Sequence, residues 1–304
     1  MALRVAILMG GTSRERGISL ETGKAVMSAL AQLGYDLLPL DVGSDLVEKI
    51  VNVRRDIDVI FNALHGRYGE DGCVQGLCDL LKLPYTHSGV LASALAMNKI
   101  ASKEIFSRAG IPVPEATVCA VKDLFVTPPE SFPVVVKPID EGSSLGVQII
   151  TDAHQVVSKT EFGKAVRNVM VEEYIPGREL TVAILNDASL EVLEIKPKNG
   201  FYDFSSKYTV GQSDYVVPAD IPDKVRDKVL HYAKIAHVTL GCAGVTRADF
   251  RYDDSKGGEG IRLLEINTQP GLTTTSLVPR IAASVGISFN DLIDWMVKDA
   301  RCNG

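Results

Sequence analysis

The chain has 304 residues, 46% of them hydrophobic and 23% charged, with a formal net charge of −6 and five cysteines. That make-up belongs to an ordinary soluble globular protein of two or three domains, and the acidic balance argues against nucleic acid or an anionic membrane surface as partner. Cys73, Cys78, Cys119, Cys242 and Cys302 are odd in number and form no CxxC pair, so neither a disulfide framework nor a zinc site is indicated, and a reducing cytoplasm fits best.

From the N-terminus, the apolar run Val5 to Met9 is too short for a signal-peptide core or a membrane span and reads as a buried strand ending in Gly10-Gly11. An amphipathic stretch to about Leu33, then YDLLPLD and IDVIFNAL, predict strands joined by helical crossovers, which make an open parallel α/β sheet. The run SALAMNKIASKEIFSRAG predicts one helix leading to the IPVPE turn, and a first domain ends near residue 95. FPVVVKP, GVQIIT, NVMVEEYI and ELTVAIL predict short strands with one helical stretch among them, a small antiparallel or mixed sheet. LEVLEIKP continues the strands, residues 198 to 220 read as a long irregular segment, and PDKVRDKVLHYAKIAHVTLG predicts an amphipathic helix. The last helix, FNDLIDWMVKDA, reads as ordinary packing.

The most informative stretch is Gly244 to Gly271, two strand-like runs around a Gly-rich loop. Alternate strand residues share a face, so Arg247 goes with Asp249 and Glu265 with Asn267, while Thr246, Ala248 and Phe250 take the other face. Folding the loop about Gly257 sets Asp249 opposite Glu265 and Arg247 opposite Asn267. Carboxylates facing each other at about 4.5 to 5.5 Å between Cβ atoms repel, and a cation between them removes that cost. Asp249, Glu265 and Asn267 all offer hard oxygen, which suits magnesium bridging substrate phosphates rather than zinc or copper. A solvated hairpin face accounts for the same residues, and the hairpin alone does not separate the two readings.

Other segments carry weaker signals. EGSSLG, Glu141 to Gly146, is a small-residue loop whose amides can approach phosphate, with Lys137 just before it to supply positive charge. Its GxSxG pattern around Ser144 lacks the following helix of a nucleophile elbow. GGTSRERGISLETG opens a helix where an anion is favoured; Asp41 resembles the ribose-gripping acid of a dinucleotide site, but GxGxxG is missing and Arg14, Glu15 and Arg16 stand where small residues belong. Glu15 fits either a ligand ammonium group or a first-turn acid favoured by the helix dipole. In ALHGRYGEDG, His65 lies at the carboxyl edge of the first sheet, where such sheets bind ligands; His87 is ambiguous, and the other histidines occupy ordinary positions. No Ser–His–Asp triad assembles. Glu172, Glu173 and Glu179 in VEEYIPGREL fit either nucleotide contacts or solvent, and Phe201 to Tyr215 reads as a lid or disorder with Lys207 and Tyr208 as its working side chains.

In order, GGTSRERGIS, HGRYGEDG, VVVKPIDEGSSLGV, SKY, TRADF and LLEINTQPGLTTTSLVP closely resemble the D-alanine:D-alanine ligases of the ATP-grasp family, nearly end to end. The resemblance implies a mixed α/β, α+β architecture: an N-terminal open parallel α/β domain (1–95), a small central α+β domain (96–179) and a C-terminal α+β domain (180–304) with a lid over 198–220. It implies ATP contacts from Lys99, Lys137, Glu141, Ser143, Ser144, Glu172, Glu173, Ile175, Glu179 and Lys207. Asp249, Glu265 and Asn267 become ligands of two magnesium or manganese ions. The first D-alanine is implied at Glu15, Arg247 and the Gly271 amide, and the second at Ser276 and Leu277, with His65 a substrate-binding candidate of no assigned subsite. Lys207 and Tyr208 close over the substrates, Tyr208 reaching toward Ser143 and Glu15.

The implied reaction is phosphoryl transfer from ATP to one D-alanine, attack on the acylphosphate by a second, and release of D-alanyl-D-alanine for peptidoglycan precursors, in a cytoplasmic homodimer. Three positions depart from the family pattern: Thr275 where histidine is common, Asn98 where aspartate is common, and Glu173 where lysine is frequent. A D-lactate or D-serine ligase is the nearest alternative, with Tyr208 in SKY favouring D-alanine. A nucleotide-binding sensor or NAD-binding oxidoreductase, suggested by Asp41 and Gly10-Gly11, is the alternative of another class.

Overall fold

A computed structural model of the chain describes residues 3–125, 131–139, 146–152, 166–198, 211–273 and 275–302. Strand β1 (Arg4–Gly10) is buried on both sides: Val5 and Ile7 enter one core, Ala6 and Leu8 another. Such two-sided burial is what a parallel sheet covered by crossover helices requires. The first sheet accordingly runs β2-β1-β3, all parallel, with β2 at Asp36–Val42 and β3 at Val59–Asn62. Helix α1 (Arg16–Gln32) covers one face through Val26, Ala29 and Leu30; α2 (Leu46–Val53) and α3 (Cys73–Leu81) cover the other through Ile50, Val74 and Cys78.

The central sheet is antiparallel, in the order β4 (Ala116–Ala120), β7 (Asn168–Glu173), β5 (Val134–Pro138), β6 (Gln148–Ile150). The C-terminal sheet is antiparallel too, in the order β10 (Ser213–Val216), β9 (Ala188–Pro197), β8 (Arg178–Leu185), β11 (Val245–Tyr252), β12 (Ile261–Asn267). One parallel and two antiparallel sheets make the mixed α/β architecture that the sequence predicts.

Three details differ from the sequence reading. ELTVAIL pairs with β9 and β11, so it belongs to the C-terminal sheet, and ATVCA supplies the fourth central strand instead. The segment taken as irregular contains β10, an edge strand on β9. The single helix predicted over SALAMNKIASKEIFSRAG is two, α4 (Val90–Met97) and α5 (Lys99–Arg108). Asn98 breaks the run: it is extended, at φ −88 and ψ 98, and its side chain accepts from the amides of Ile100 and Ala101, so it caps α5. Aspartate would cap equally well, which explains why asparagine stands there without harm to the helix.

Helix α6 (Asp223–Leu240) packs on one face of the C-terminal sheet through Val225, Val229, Ala233 and Ala236. Helices α7 (Leu277–Ser284) and α8 (Phe289–Asp299) join the other face to α1 and the first sheet in one core, which holds Leu193 and Ile195 together with Val5 and Phe61. No helix among the described residues is long and apolar enough to cross a membrane.

Candidate active site

The hairpin has the register its alternation predicts: Asp249 pairs with Glu265, and Arg247 with Asn267. The connection is a 3-10 turn, Asp254–Gly260, in which Gly257 takes φ 53, a left-handed value that favours glycine. Between Asp249 and Phe250 the pairing skips Leu264, because Phe250 pairs with Leu263. Leu263 and Ile266 are buried and Glu265 and Asn267 lie on the same side as Asp249; the bulge absorbs Leu264 without upsetting that alternation.

Asp249 is gripped from three directions. Oδ1 accepts from Thr181 Oγ1 at 2.6 Å and Arg247 Nε at 2.8 Å; Oδ2 accepts from Arg247 Nη2 at 2.7 Å and Asn267 Nδ2 at 3.0 Å. Arg247 thus forks the carboxylate two positions along its own strand. Glu265 Oε2 lies 3.5 Å from Lys99 Nζ. Among the described residues no cluster of three or more His, Cys, Asp and Glu side chains is assembled, so an ion here would have two carboxylates and the Asn267 amide to rest on. With Nδ2 of Asn267 donating to Asp249, its Oδ1 is directed elsewhere, and all three donors are hard oxygens, which fits a magnesium-type cation.

One turn along α5 from Lys99, Lys103 reaches across to the central sheet. It donates to Glu172 Oε2, and Lys137 donates to Oε1 at 2.8 Å. All three side chains are buried. Burial alone would raise the Glu172 carboxyl, but the Lys137 and Lys103 ammonium groups outweigh it and hold the group below its ordinary value. Burial pushes Lys103 down, against the opposing pull of Glu172. The cluster carries two cations and one anion, which suits a neighbouring phosphate. The backbone amide of Lys99 also donates to Ile139 O at 3.2 Å, tying α5 to the chain that leads into EGSSLG.

Ile175 is buried, and Glu179 pairs with Arg251 at 3.5 Å. The same guanidinium donates to the carbonyls of Ile175 at 3.0 Å and Gly177 at 2.9 Å, so Arg251 pins the turn that carries both. Glu173 is exposed at the end of β7.

At the first sheet, Glu15 is the residue preceding α1 and is buried, but it makes no side-chain cap to the helix amides. Its carboxylate packs against Gly66, where a Cβ would fall 2.9 Å from Oε2 and φ is +70. His65 is satisfied by its own domain: Nε2 lies 3.3 Å from Thr22 Oγ1 and Nδ1 lies 3.4 Å from Glu70 Oε1. Arg16 packs against Gly10 and engages Asp41: it pairs with Asp41 at 2.8 Å and donates to Val42 O at 3.0 Å, and a Cβ on Gly10 would sit 2.3 Å from its Nη1.

Beyond β12, Gly271 leads to a tight turn in which Thr273 N donates to Ser276 Oγ at 3.0 Å and Ser276 N to Thr273 O at 3.0 Å. Ser276 then precedes α7, whose first residue Leu277 is buried. Thr275 is exposed, and its carbonyl accepts from Arg280 Nε at 2.9 Å.

Glu141, Ser143, Ser144, Lys207 and Tyr208 lie outside the described residues. Sequence reasoning missed Lys103, Arg251, Asn62 and Gln269. Lys103 was findable, being four residues after Lys99 on one helix face; Arg251 was findable as the next same-face residue after Arg247 and Asp249. The two amides carry no such signal.

The family model described as D-ala D-ala ligase C-terminus matches residues 105–298, and that described as D-ala D-ala ligase N-terminus matches residues 47–88. The chain is 50% identical to a D-alanine–D-alanine ligase of Cereibacter sphaeroides, over 99% of this chain and 96% of that one. It is 49% identical to the corresponding protein of Paramagnetospirillum magneticum over all of both chains. Among solved structures, a D-alanine–D-alanine ligase of Bacillus anthracis complexed with ATP superposes with a TM-score of 0.81 at 29% identity, covering 98% of this chain and 97% of that one. The VanG D-Ala:D-Ser ligase of Enterococcus faecalis gives 0.78 at 27%, covering 98% and 99%.

Proposed function

The chain belongs to the D-alanine–D-alanine ligase family, and on that premise we propose that it joins two D-alanines at the expense of ATP, releasing ADP and phosphate. The observation that carries the reading is the meeting, along helix α5, of two charge clusters of complementary chemistry. Lys99 touches the hard-oxygen hairpin and Lys103 the buried Glu172–Lys137 pair.

The first step transfers the γ-phosphoryl group of ATP to a D-alanine carboxylate, giving an acylphosphate; the second D-alanine amine attacks that carbonyl and phosphate leaves. Lys137 stabilises charge on the phosphate chain, and Glu172 keeps that lysine in place. Glu15 takes the ammonium of the first D-alanine, the Gly271 amide and Arg247 meet its reacting carboxyl, and Ser276 and Leu277 receive the second D-alanine. Preorganised donors of this kind contribute several kcal/mol of barrier lowering. Asp249, Glu265 and Asn267 would hold magnesium or manganese, two ions in all, which supplies positive charge against the transferring phosphate. Ile175 and Glu179 contact the nucleotide from the turn that Arg251 pins, with Glu173 at its edge.

The same reading takes Glu141, Ser143 and Ser144 as phosphate-loop residues, Lys207 and Tyr208 as lid residues, and the units as 1–95, 96–179 and 180–304, which the three sheets support. It places the protein in the cytoplasm, making the dipeptide for peptidoglycan precursors, as a homodimer; Leu80 on α3 and Leu91 on α4 are exposed apolar residues consistent with a subunit contact.

The direct test is incubation with ATP, magnesium and D-alanine, with phosphate and dipeptide measured together. The expected result is one phosphate per D-alanyl-D-alanine. ATP binding without dipeptide by folded protein would leave a nucleotide sensor. Competition among D-alanine, D-serine and D-lactate as the second substrate decides the acceptor, with D-alanine expected to win.

A further inference from the structure

Two buried carboxamides join the halves of the site across 207 residues of sequence. Asn62 ends β3, two residues before Leu64 and three before His65. Gln269 stands midway between Asn267 and Gly271. Asn62 Nδ2 donates to Gln269 Oε1 at 2.7 Å and to Gly69 O at 2.9 Å, while Asn62 Oδ1 accepts from Leu64 N at 3.2 Å. Gln269 Nε2 donates to Leu64 O. Both amides are thereby used at donor and acceptor ends, and the residues are only 1% and 3% exposed.

A buried polar group deprived of its partner is strongly disfavoured, so this arrangement admits one register where an apolar contact would admit several. What it registers is the wall formed by Glu15 and Gly66 against the Gly271–Leu277 turn. Neither chain can slide without unpairing an amide. We propose that Asn62 and Gln269 are positioning residues that set the spacing between the two D-alanine subsites, an inference that rests on the ligase reading above. They touch neither substrate and act through Leu64 and through the backbone that links Asn267 to Gly271.

The test exploits side-chain length. Asn62→Gln and Gln269→Asn each change the span of the pair by one methylene, and the double swap restores the sum. Each single variant is expected to lose about 10- to 100-fold in kcat with a raised KM for D-alanine, since about 1 Å of misplacement costs that order. The KM for ATP stays within twofold, and the swap recovers most of the loss. Asn62→Asp, which keeps the volume and turns a donor into an acceptor facing Gln269 Oε1, should reproduce the single-variant phenotype if the swapped chain folds poorly. Unchanged kinetics in every folded variant would overturn the proposal, as would losses that track the folded fraction alone or that fall equally on ATP and D-alanine. A parent protein without dipeptide synthesis defeats the ligase reading instead, so the two failures are told apart by the parent control.

Discussion

Glu172 and Glu265 invite comparison because lysines one turn apart on α5 serve them both. Glu172 is 2% exposed, and two ammonium groups occupy its two oxygens. Glu265 is 25% exposed and has Lys99 at a looser 3.5 Å. Glu172 is an anion enclosed by cations, so its charge is part of how α5, β5 and β7 hold together. Glu265 is less deeply buried and its lysine stands further off. Proximity to a lysine therefore does not make two acids alike; depth of burial and closeness of the pairing separate them.

Substitution of each acid by its amide should separate the two roles. Glu172→Gln leaves Lys103 and Lys137 buried without their counter-charge and is expected to cost about 3–5 kcal/mol of stability in urea unfolding; an unaltered midpoint would mean that those lysines are neutral or hydrated. Glu265→Gln should lower kcat/KM about 100- to 1,000-fold and raise the magnesium requirement, yet shift stability by no more than about 1 kcal/mol, the range of a partly exposed ion pair. Normal turnover in that variant would remove Glu265 from the proposed ligand set.

His87 extends the comparison to a buried group with no counter-ion among the described residues. Among the described residues neither ring nitrogen makes a well-formed hydrogen bond, although the backbones of Val245 and Asn62 lie beside it, and burial pushes its pKa from 6.5 to about 3, with His65 nearby adding to the depression. The unfolded chain therefore takes up a proton that the folded chain refuses. Stability is full above pH 6.5 and falls with acidification toward pH 3, by up to about 1.4 kcal/mol per pH unit. His87→Gly, which also suits the local φ of 76, should flatten that slope between pH 4 and 6 relative to the parent. An identical slope in the two proteins would show that the histidine titrates freely.

The smallest effect concerns how α5 itself is anchored. Asn98→Ala should cost about 1 kcal/mol through loss of the cap, and Asn98→Asp close to nothing. Thermal melts of the three proteins would blunt the comparison if alanine and aspartate behaved alike.

Much of this was legible because the site is built on periodic elements. Strand alternation and a symmetric turn were enough to place Asp249 against Glu265, and His65 was found as a sheet-edge residue beside glycines. Lys103 was missed because a lysine on a helix reads as solvated until an acid from another sheet is known to meet it. Asn62 and Gln269 look like loop polarity, since an amide's partner 207 residues away leaves no local trace. The break between α4 and α5 was hidden by the apolar run around it: Asn98 acts through a cap, which outranks the continuity of the pattern.

The skipped Leu264 bears on how this hairpin tolerates changes in length. Removing one of the adjacent leucines, Leu263 or Leu264, leaves IRLEIN, in which strict alternation keeps every existing pair and every face. Strand β12 is thus one residue longer than its pairing requires. The surplus leucine does not decide which side Glu265 occupies; it adds local twist and so sets the angle at which the carboxylate leaves the sheet. A chain shortened there would keep its topology and lose its aim, whereas an added residue elsewhere in β12 would exchange the site face for the core face.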